Sequence, residues 1–186
     1  MIPNVTRFSV IPDMPAYIVL DIPSVMAGWV RSIRAKFDPE RSTMPAEITV
    51  TGSSGLGHLV PGQSLDDVAS EIDRIAARFA PFSAVFDKVE RFPDTEIYYL
   101  TLKDPAPFRE IHKAFAESAI GFQENPYPFE PHCTLKLRST PSDSELLELL
   151  FLETPKEPFT LSSLSLYALP DVRTCERLHT VDLSGA

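Results

Sequence analysis

The sequence predicts an α+β fold, and three observations support this class. Short apolar runs typical of β-strands alternate with segments whose apolar residues recur at helical spacing. Two of the strand-like runs are joined by Pro93-Asp94, which suits the turn of a hairpin. The chain has 186 residues, 44% of them hydrophobic, as expected for one globular domain or two lobes that share a core.

The first half of the chain contains two predicted strands and two predicted helices. Residues 17–22 form a strand-like apolar run, and Ser24 can cap the helix that follows. The apolar face predicted for this helix consists of Val25, Trp29, Ile33 and Phe37. A strand over residues 47–51 leads into a glycine-rich loop at 52–57, and Ser64 then opens a second helix with a pattern like a capping box. Its predicted apolar face is Leu65, Val68, Ile72, Ile75 and Phe79.

The second half of the chain repeats this mixture of strands and helices. A hairpin is predicted around Pro93-Asp94, and Pro107 suits the first turn of a third helix. A fourth helix is predicted over roughly residues 142–151 because Pro141 and Asp143 suit a helix start. The predicted strands are residues 82–90, 96–103, 132–137, 160–168 and 175–183.

Charge and composition exclude several classes of function. The formal net charge is −9 and no cluster of Lys or Arg stands out, which argues against binding to long DNA or RNA. A small nucleotide or an RNA end still fits a locally positive groove. No apolar run is long enough to span a bilayer, so no membrane partner is expected, and residues 1–5 do not begin a signal peptide. The two cysteines form neither a disulfide framework nor a metal-ligand pattern, which favours a cytoplasmic setting. The sequence does not identify protein partners.

Residues 130–136, EPHCTLK, contain the strongest chemical pattern of the chain. Side chains alternate along a strand, so His132 and Thr134 point to the same face, and Lys136 continues the row. The row offers a proton carrier, a hydroxyl donor and a cation, which suits a phosphate ester.

An imperfect copy of this pattern occurs earlier in the chain, in residues 45–51. When Thr49 is aligned with Thr134, Glu47 falls at the position of His132. The copy predicts a duplicated unit in which two similar strands contribute to one site.

The two motifs together resemble those of the two-histidine (2H) phosphoesterases, and most closely their 2′-5′ RNA ligase-like, cyclic phosphodiesterase branch. The resemblance covers most of the chain and includes Phe37-Asp38-Pro39 and residues 90–94. It implies a single bilobal domain over residues 1–186. The fold expected from it has two pseudo-symmetric lobes of small antiparallel sheets with flanking helices around a central groove.

The resemblance also implies a chemistry. In the family, two histidines act as an acid–base pair on a 2′,3′-cyclic phosphate or a 2′-5′ linkage, without a metal or a cofactor. By motif match, His132, Thr134 and Thr49 take catalytic places here, and Glu47 stands where the family has its first histidine. The implied partner is a small phosphodiester or an RNA end.

Glu47 leaves four interpretations open. It works with His132 as a catalytic pair, the substrate has changed, catalysis is lost and a groove for a nucleotide or a protein partner remains, or Glu47 faces solvent as a bystander. A carboxyl group serves as the acid near neutral pH only where burial raises its pKa.

Other candidates carry weaker signals. His58 follows the glycine-rich loop and could replace the missing histidine, although an exposed loop position is the simpler expectation. His112 and Cys133 are expected to be structural, since both fall on or beside core-facing positions. The candidate phosphate anchors are Lys103, Lys136 and Arg138, for which solvation at the surface is the ordinary expectation.

Overall fold

A computed structural model describes residues 8–186 as a mixture of short strands and four α-helices. The expectation about residues 1–5 lies outside the described part. The strands are β1 Ala16–Asp21, β2 Glu47–Thr49, β3 Phe82–Ala84, β4 Phe86–Arg91, β5 Tyr98–Leu102, β6 Cys133–Lys136, β7 Phe159–Leu161, β8 Ser163–Ala168 and β9 Glu176–Asp182. The α-helices are α1 Ser24–Phe37, α2 Leu65–Ala76, α3 Ala106–Ala116 and α4 Asp143–Leu150, and a 3₁₀ turn spans Pro39–Arg41.

Within the described residues the strands form small antiparallel sheets. The first sheet has the order β2-β1-β8-β9, the second has the order β4-β5-β6, and β3 pairs with β7. Helix α2 packs on the first sheet, whereas α1 and α4 pack on the second. The predicted α+β class, with small antiparallel sheets and flanking helices, is confirmed.

The two large sheets meet at the edge strands that carry the motifs. Strand β2 is an edge of the first sheet, and β6 is an edge of the second. The backbone N–H of Thr49 donates to the carbonyl of His132 at 3.0 Å. The fold therefore brings two segments that are distant in sequence side by side.

The apolar face predicted for α1 is confirmed in part, since Phe37 is buried and Trp29 and Ile33 pack half-buried against the core, but it is wrong at Val25. Val25 is 89% exposed, and the buried residues of the helix are Met26, Ala27, Val30, Arg34 and Phe37. These positions follow the ordinary helical spacing, but a charged residue occupies the middle of the buried face. Because Arg34 is charged, the spacing of apolar residues alone does not reveal which face of this helix is buried.

Two predicted strands are each divided in the structure. The run at 82–90 becomes β3 and β4, and the run at 160–168 becomes β7 and β8. Since β3 and β7 pair with each other while β4 and β8 belong to different large sheets, the chain changes sheet at Val85 and at Ser162. The hairpin between β4 and β5 is confirmed, with Asp94 in the left-handed region at φ 58°.

None of the described helices is long and apolar enough to cross a membrane.

Candidate active site

His132 lies immediately before β6 with 1% of its surface exposed. Its Nδ1 is 2.6 Å from the backbone carbonyl of Glu130. A carbonyl only accepts hydrogen bonds, so Nδ1 carries the proton in this contact. In the neutral ring Nε2 is then the basic nitrogen, and it is 3.2 Å from the hydroxyl of Ser53, which donates to it.

The aromatic rings of Phe92 and Tyr99 pack against the imidazole of His132. Phe92 and Tyr99 stack on each other at 4.0 Å, and each presents an edge-on arrangement to His132, at 5.1 and 5.5 Å between ring centroids. Burial in this surrounding, helped by the positive charge of Arg41, lowers the pKa of His132 to about 4. His132 is therefore neutral at physiological pH and suited to accept a proton.

Glu47 begins β2 and is 6% exposed, so it is not a solvent-facing bystander. Its Oε2 is buried without a hydrogen-bond partner among the described residues, and it lies 4.0 Å from Nη2 of Arg34, beyond hydrogen-bond length. Burial raises the pKa of Glu47 above its ordinary value, although Arg34 and Arg41 act in the opposite direction. The site therefore favours the neutral carboxylic acid more than water does.

Asp21 lies opposite Glu47 in the first sheet and contributes to the same surface. It accepts hydrogen bonds from the hydroxyls of Ser163 at 3.0 Å, Ser165 at 2.6 Å and Tyr167 at 3.2 Å. Three donors keep Asp21 satisfied as a carboxylate, and its negative charge contributes to raising the pKa of Glu47.

Arg34 joins the two motif segments through its guanidinium group. It is fully buried on α1, and its Nε donates to the carbonyl of Thr134 at 3.0 Å. Its Nη1 donates to the carbonyls of Pro45 at 2.7 Å and Met44 at 3.3 Å, just ahead of β2. One side chain thus ties the start of the first motif to the second, a role that sequence reasoning missed because apolar periodicity gives no weight to a buried cation.

Arg41 is a second buried cation that sequence reasoning missed. It ends the 3₁₀ turn Pro39–Arg41, which begins at the last residue of the Phe37-Asp38-Pro39 segment, and 9% of its surface is exposed. Its charge affects the titration of both Glu47 and His132. Arg41 is therefore coupled electrostatically to both motifs, and the sequence signal for it is only its position just beyond Phe37-Asp38-Pro39, one of the segments that carry the resemblance.

The motif threonines differ in exposure. Thr49 is 8% exposed, whereas Thr134 is half-buried in β6 opposite Tyr99. Lys136 continues the row of His132 and Thr134 in β6, but its ammonium group is buried and donates to the carbonyls of Phe37 and Arg138 and to the hydroxyl of Ser139. Lys136 is thereby used in holding the local backbone and is not a free cation for a ligand.

The remaining candidates lie outside this arrangement. His112 is hydrogen-bonded through Nδ1 to the carbonyl of Val50, 2.8 Å away, and stacks on Phe129, which indicates a structural role as expected. His58 is half-buried beside Gly52, with a pKa lowered by burial, rather than fully exposed as expected. Arg138 pairs with Glu40 at 3.3 Å, Lys103 is exposed, and Cys133 is fully buried as predicted. Across residues 8–186, no three His, Cys, Asp or Glu side chains cluster in a way that could hold a metal ion.

Comparison with known proteins identifies the family. The family model of the 2′-5′ RNA ligase superfamily matches residues 22–172, which is well over half of the chain. The chain therefore belongs to the 2′-5′ RNA ligase superfamily, and the resemblance to the two-histidine phosphoesterases is confirmed at this level. No curated protein matches the chain significantly.

Solved structures share the fold. TT0787 of Thermus thermophilus is 17% identical with a TM-score of 0.66, and the match covers 92% of this chain and 99% of that chain. E. coli LigT complexed with 3′-AMP is 18% identical with a TM-score of 0.64, covering 92% and 98% of the two chains. E. coli LigT complexed with phosphate is 16% identical with a TM-score of 0.62, and that match covers 92% and 98% as well. At these identities the likeness concerns the fold alone.

Proposed function

We propose that this chain is a phosphoesterase that acts on a small phosphodiester, either a 2′,3′-cyclic nucleotide or an RNA end, by metal-independent acid–base catalysis. The observation that carries the proposal is the fixed tautomer of His132. Its Nδ1–H is held by the carbonyl of Glu130, so that the basic Nε2 is offered towards Ser53, in the loop that follows the first motif. Family membership supports a phosphoesterase or ligase-like activity.

In this proposal His132 is the general base. A neutral imidazole with a low pKa removes a proton from water or from a hydroxyl group and returns to neutrality at the end of the cycle. In the free protein the hydroxyl of Ser53 is hydrogen-bonded to Nε2 of His132, and Ser53 is exposed. The incoming nucleophile therefore displaces the exposed hydroxyl group of Ser53 from Nε2.

Glu47 is the general acid in this proposal, taking the place of the family's first histidine. A neutral carboxylic acid protonates the leaving oxygen and does not repel the substrate's phosphate. Charge repulsion between an ionised carboxylate and a phosphate about 4 Å away would cost roughly 4 kcal/mol at an effective dielectric constant of about 20. Burial of Glu47 opposes that ionised form. The hydroxyls of Thr49 and Thr134 would donate hydrogen bonds to the non-bridging oxygens as negative charge shifts in the transition state.

The choice of a small substrate rests on charge and on related structures. The net charge of −9 disfavours long nucleic acids, as the sequence predicts. The structures of E. coli LigT include complexes with 3′-AMP, phosphate, NADP⁺ and ATP, all of which contain phosphate. A cytoplasmic location is consistent with free thiols at Cys133 and Cys175. The hydrophobic core common to both large sheets supports one bilobal domain over residues 1–186.

The test is hydrolysis of nucleoside 2′,3′-cyclic phosphates by the purified protein and three variants. His132→Ala and Glu47→Gln should each lower kcat by about 10²–10⁴-fold, with substrate binding by Glu47→Gln unchanged or tighter. Glu47→His should raise or retain turnover because an imidazole restores the acid–base pair. If His132→Ala turns over as fast as the natural protein, the activity lies elsewhere. If neither change at Glu47 has an effect, Glu47 takes no part in catalysis.

The alternative is a catalytically inactive binding module of the same fold that holds a nucleotide or a protein partner. The observation that favours it is the burial of the motif residues. Glu47 and His132 are nearly inaccessible to solvent, and the hydroxyl of Ser53 is hydrogen-bonded to Nε2 of His132. The same assay discriminates between the two. A binding module would bind a nucleoside 2′,3′-cyclic phosphate and return it unchanged, in the natural protein and in Glu47→His alike.

A further inference from the structure

Arg41 carries a buried guanidinium group that the described residues leave unpaired. Only 9% of the residue's surface is exposed, and its Nε is enclosed without a hydrogen-bond acceptor from residues 8–186. Within residues 8–186 the guanidinium makes no ion pair. Arg34 differs, because three backbone carbonyls accept from it. A buried arginine with a structural role normally donates hydrogen bonds to nearby acceptors, as Arg34 does.

The surroundings of Arg41 connect both motifs. The ionisable groups that are coupled electrostatically to Arg41 come from different elements and are Arg34 on α1, Asp38 after α1, Tyr17 on β1 and Glu47 on β2. Arg41 in turn acts on His132 ahead of β6. Asp38 is already engaged by the backbone N–H of Leu137 at 2.8 Å. Among the described residues, no neighbouring carboxylate therefore neutralises the guanidinium directly.

Unpaired buried atoms occur on Glu47, which begins the first motif strand, and on Arg41, whose charge is coupled to Glu47. Oε2 of Glu47 and Nε of Arg41 are two of the three buried side-chain atoms that lack a hydrogen-bond partner among the described residues. These two atoms are a hydrogen-bond donor and an acceptor that the described residues leave unsatisfied, so each can still take up a hydrogen bond with a ligand. An anionic oxygen accepts from the guanidinium, and a second oxygen of the same group accepts from a protonated Glu47.

We propose that Arg41 binds a non-bridging oxygen of a monoanionic phosphodiester at the junction of the two motifs, and supplies the positive charge that Glu47 cannot supply. This assignment rests on the proposed function for the location of the phosphate. Arg41 contributes binding rather than proton transfer, because a guanidinium keeps its proton. The free protein carries an uncompensated buried charge that the ligand removes on binding.

The experiment measures equilibrium binding of dimethyl phosphate, a diester monoanion, and of inorganic phosphate by NMR titration. Arg41→Gln should weaken dimethyl phosphate binding by about 10–100-fold, as expected for loss of a charge-assisted hydrogen bond. Arg41→Lys should recover part of the affinity because it restores the charge without the planar fork. Arg31→Gln is the matched control, since Arg31 is an exposed arginine of α1 and its variant should bind as the natural protein does.

A second readout separates binding from a structural role. Without ligand, Arg41→Gln should be at least as stable to urea as the natural protein, because it removes an unpaired buried charge. A structural arginine would lose stability on the same change. Unchanged affinity for dimethyl phosphate in Arg41→Gln, absence of dimethyl phosphate binding by the natural protein, or binding of inorganic phosphate alone would each overturn the proposal.

Phosphate binding by Arg41 and phosphodiester hydrolysis can be tested separately. If the natural protein binds dimethyl phosphate through Arg41 but never hydrolyses a nucleoside 2′,3′-cyclic phosphate, the catalytic proposal fails and this inference stands. If hydrolysis occurs and Arg41→Gln has an unchanged KM, this inference fails and the catalytic proposal stands.

Discussion

Replacing His132 with Gln should make the stability of the protein less sensitive to acid. Burial lowers the pKa of His132 to about 4, from 6.5 in an unfolded chain. Below pH 6.5 this side chain is therefore protonated in the unfolded state and still neutral in the folded state. The free energy of unfolding consequently falls as the pH falls. The loss is complete only below the folded pKa, where both states are protonated.

The size of this effect follows from the shift. The difference between 6.5 and about 4 corresponds to about 3 kcal/mol in total, at about 1.36 kcal/mol for each pKa unit. Most of it develops between the two pKa values, so that about 2 kcal/mol should be lost between about pH 7.5 and pH 5. Gln does not titrate, and any packing cost of the substitution is the same at both pH values.

The assay is urea unfolding of the natural protein and His132→Gln at about pH 7.5 and pH 5, analysed as a two-state transition. Every other titrating group, Glu47 included, is common to the two proteins and cancels in the difference of differences. The natural protein should lose about 2 kcal/mol more than the variant on acidification. Equal losses would mean that His132 titrates as an exposed histidine does and would refute the burial argument.

Two further substitutions test the frame of the site. Arg34→Met should destabilise the protein by about 3–5 kcal/mol in urea unfolding, because three backbone carbonyls in and beside the two motif segments lose the charged donor that they share. Arg31→Met, at an exposed position of the same helix, should change stability little, and equal effects would show that Arg34 does not hold the two motif segments together. Gly55→Ala should cost about 1–3 kcal/mol in thermal or urea unfolding, because φ is +65° and the new Cβ would collide with the imidazole of His112. Gly62→Ala, at φ +85° in open space, isolates the backbone part of that cost and should be the milder change.

The α+β class could be predicted from the sequence because its signals are local. The hairpin at Pro93-Asp94, the second helix and the strand after His132 each depend on residues close together in the chain. The change of sheet at Val85 and at Ser162 could not be predicted, since an apolar run looks the same whichever neighbour its residues pair with. Strand partners are decided by the whole fold.

The candidate site was predictable to a similar extent. The row of His132 and Thr134 and the copy at Thr49 follow from spacing, and the fold does bring the two segments together through the bond between Thr49 and His132. The catalytic roles of these residues and of Glu47 remain predictions. The buried cations Arg34 and Arg41 escaped notice because a lone arginine in sequence is ordinarily an exposed one. Only three-dimensional packing reveals that they are enclosed.

The pH dependence of kcat/KM for a nucleoside 2′,3′-cyclic phosphate tests the central claim most directly, since it reports the essential acid and base of the free enzyme. The claim is that the family's acid–base pair consists here of a neutral His132 and a protonated Glu47. The rate should rise from about pH 4 as His132 loses its proton, and should fall at higher pH as Glu47 ionises through its raised pKa. The fall should be missing from whatever residual activity Glu47→Gln retains. A rate that keeps rising towards alkaline pH in the natural protein, or no turnover at any pH despite binding, would contradict the claim.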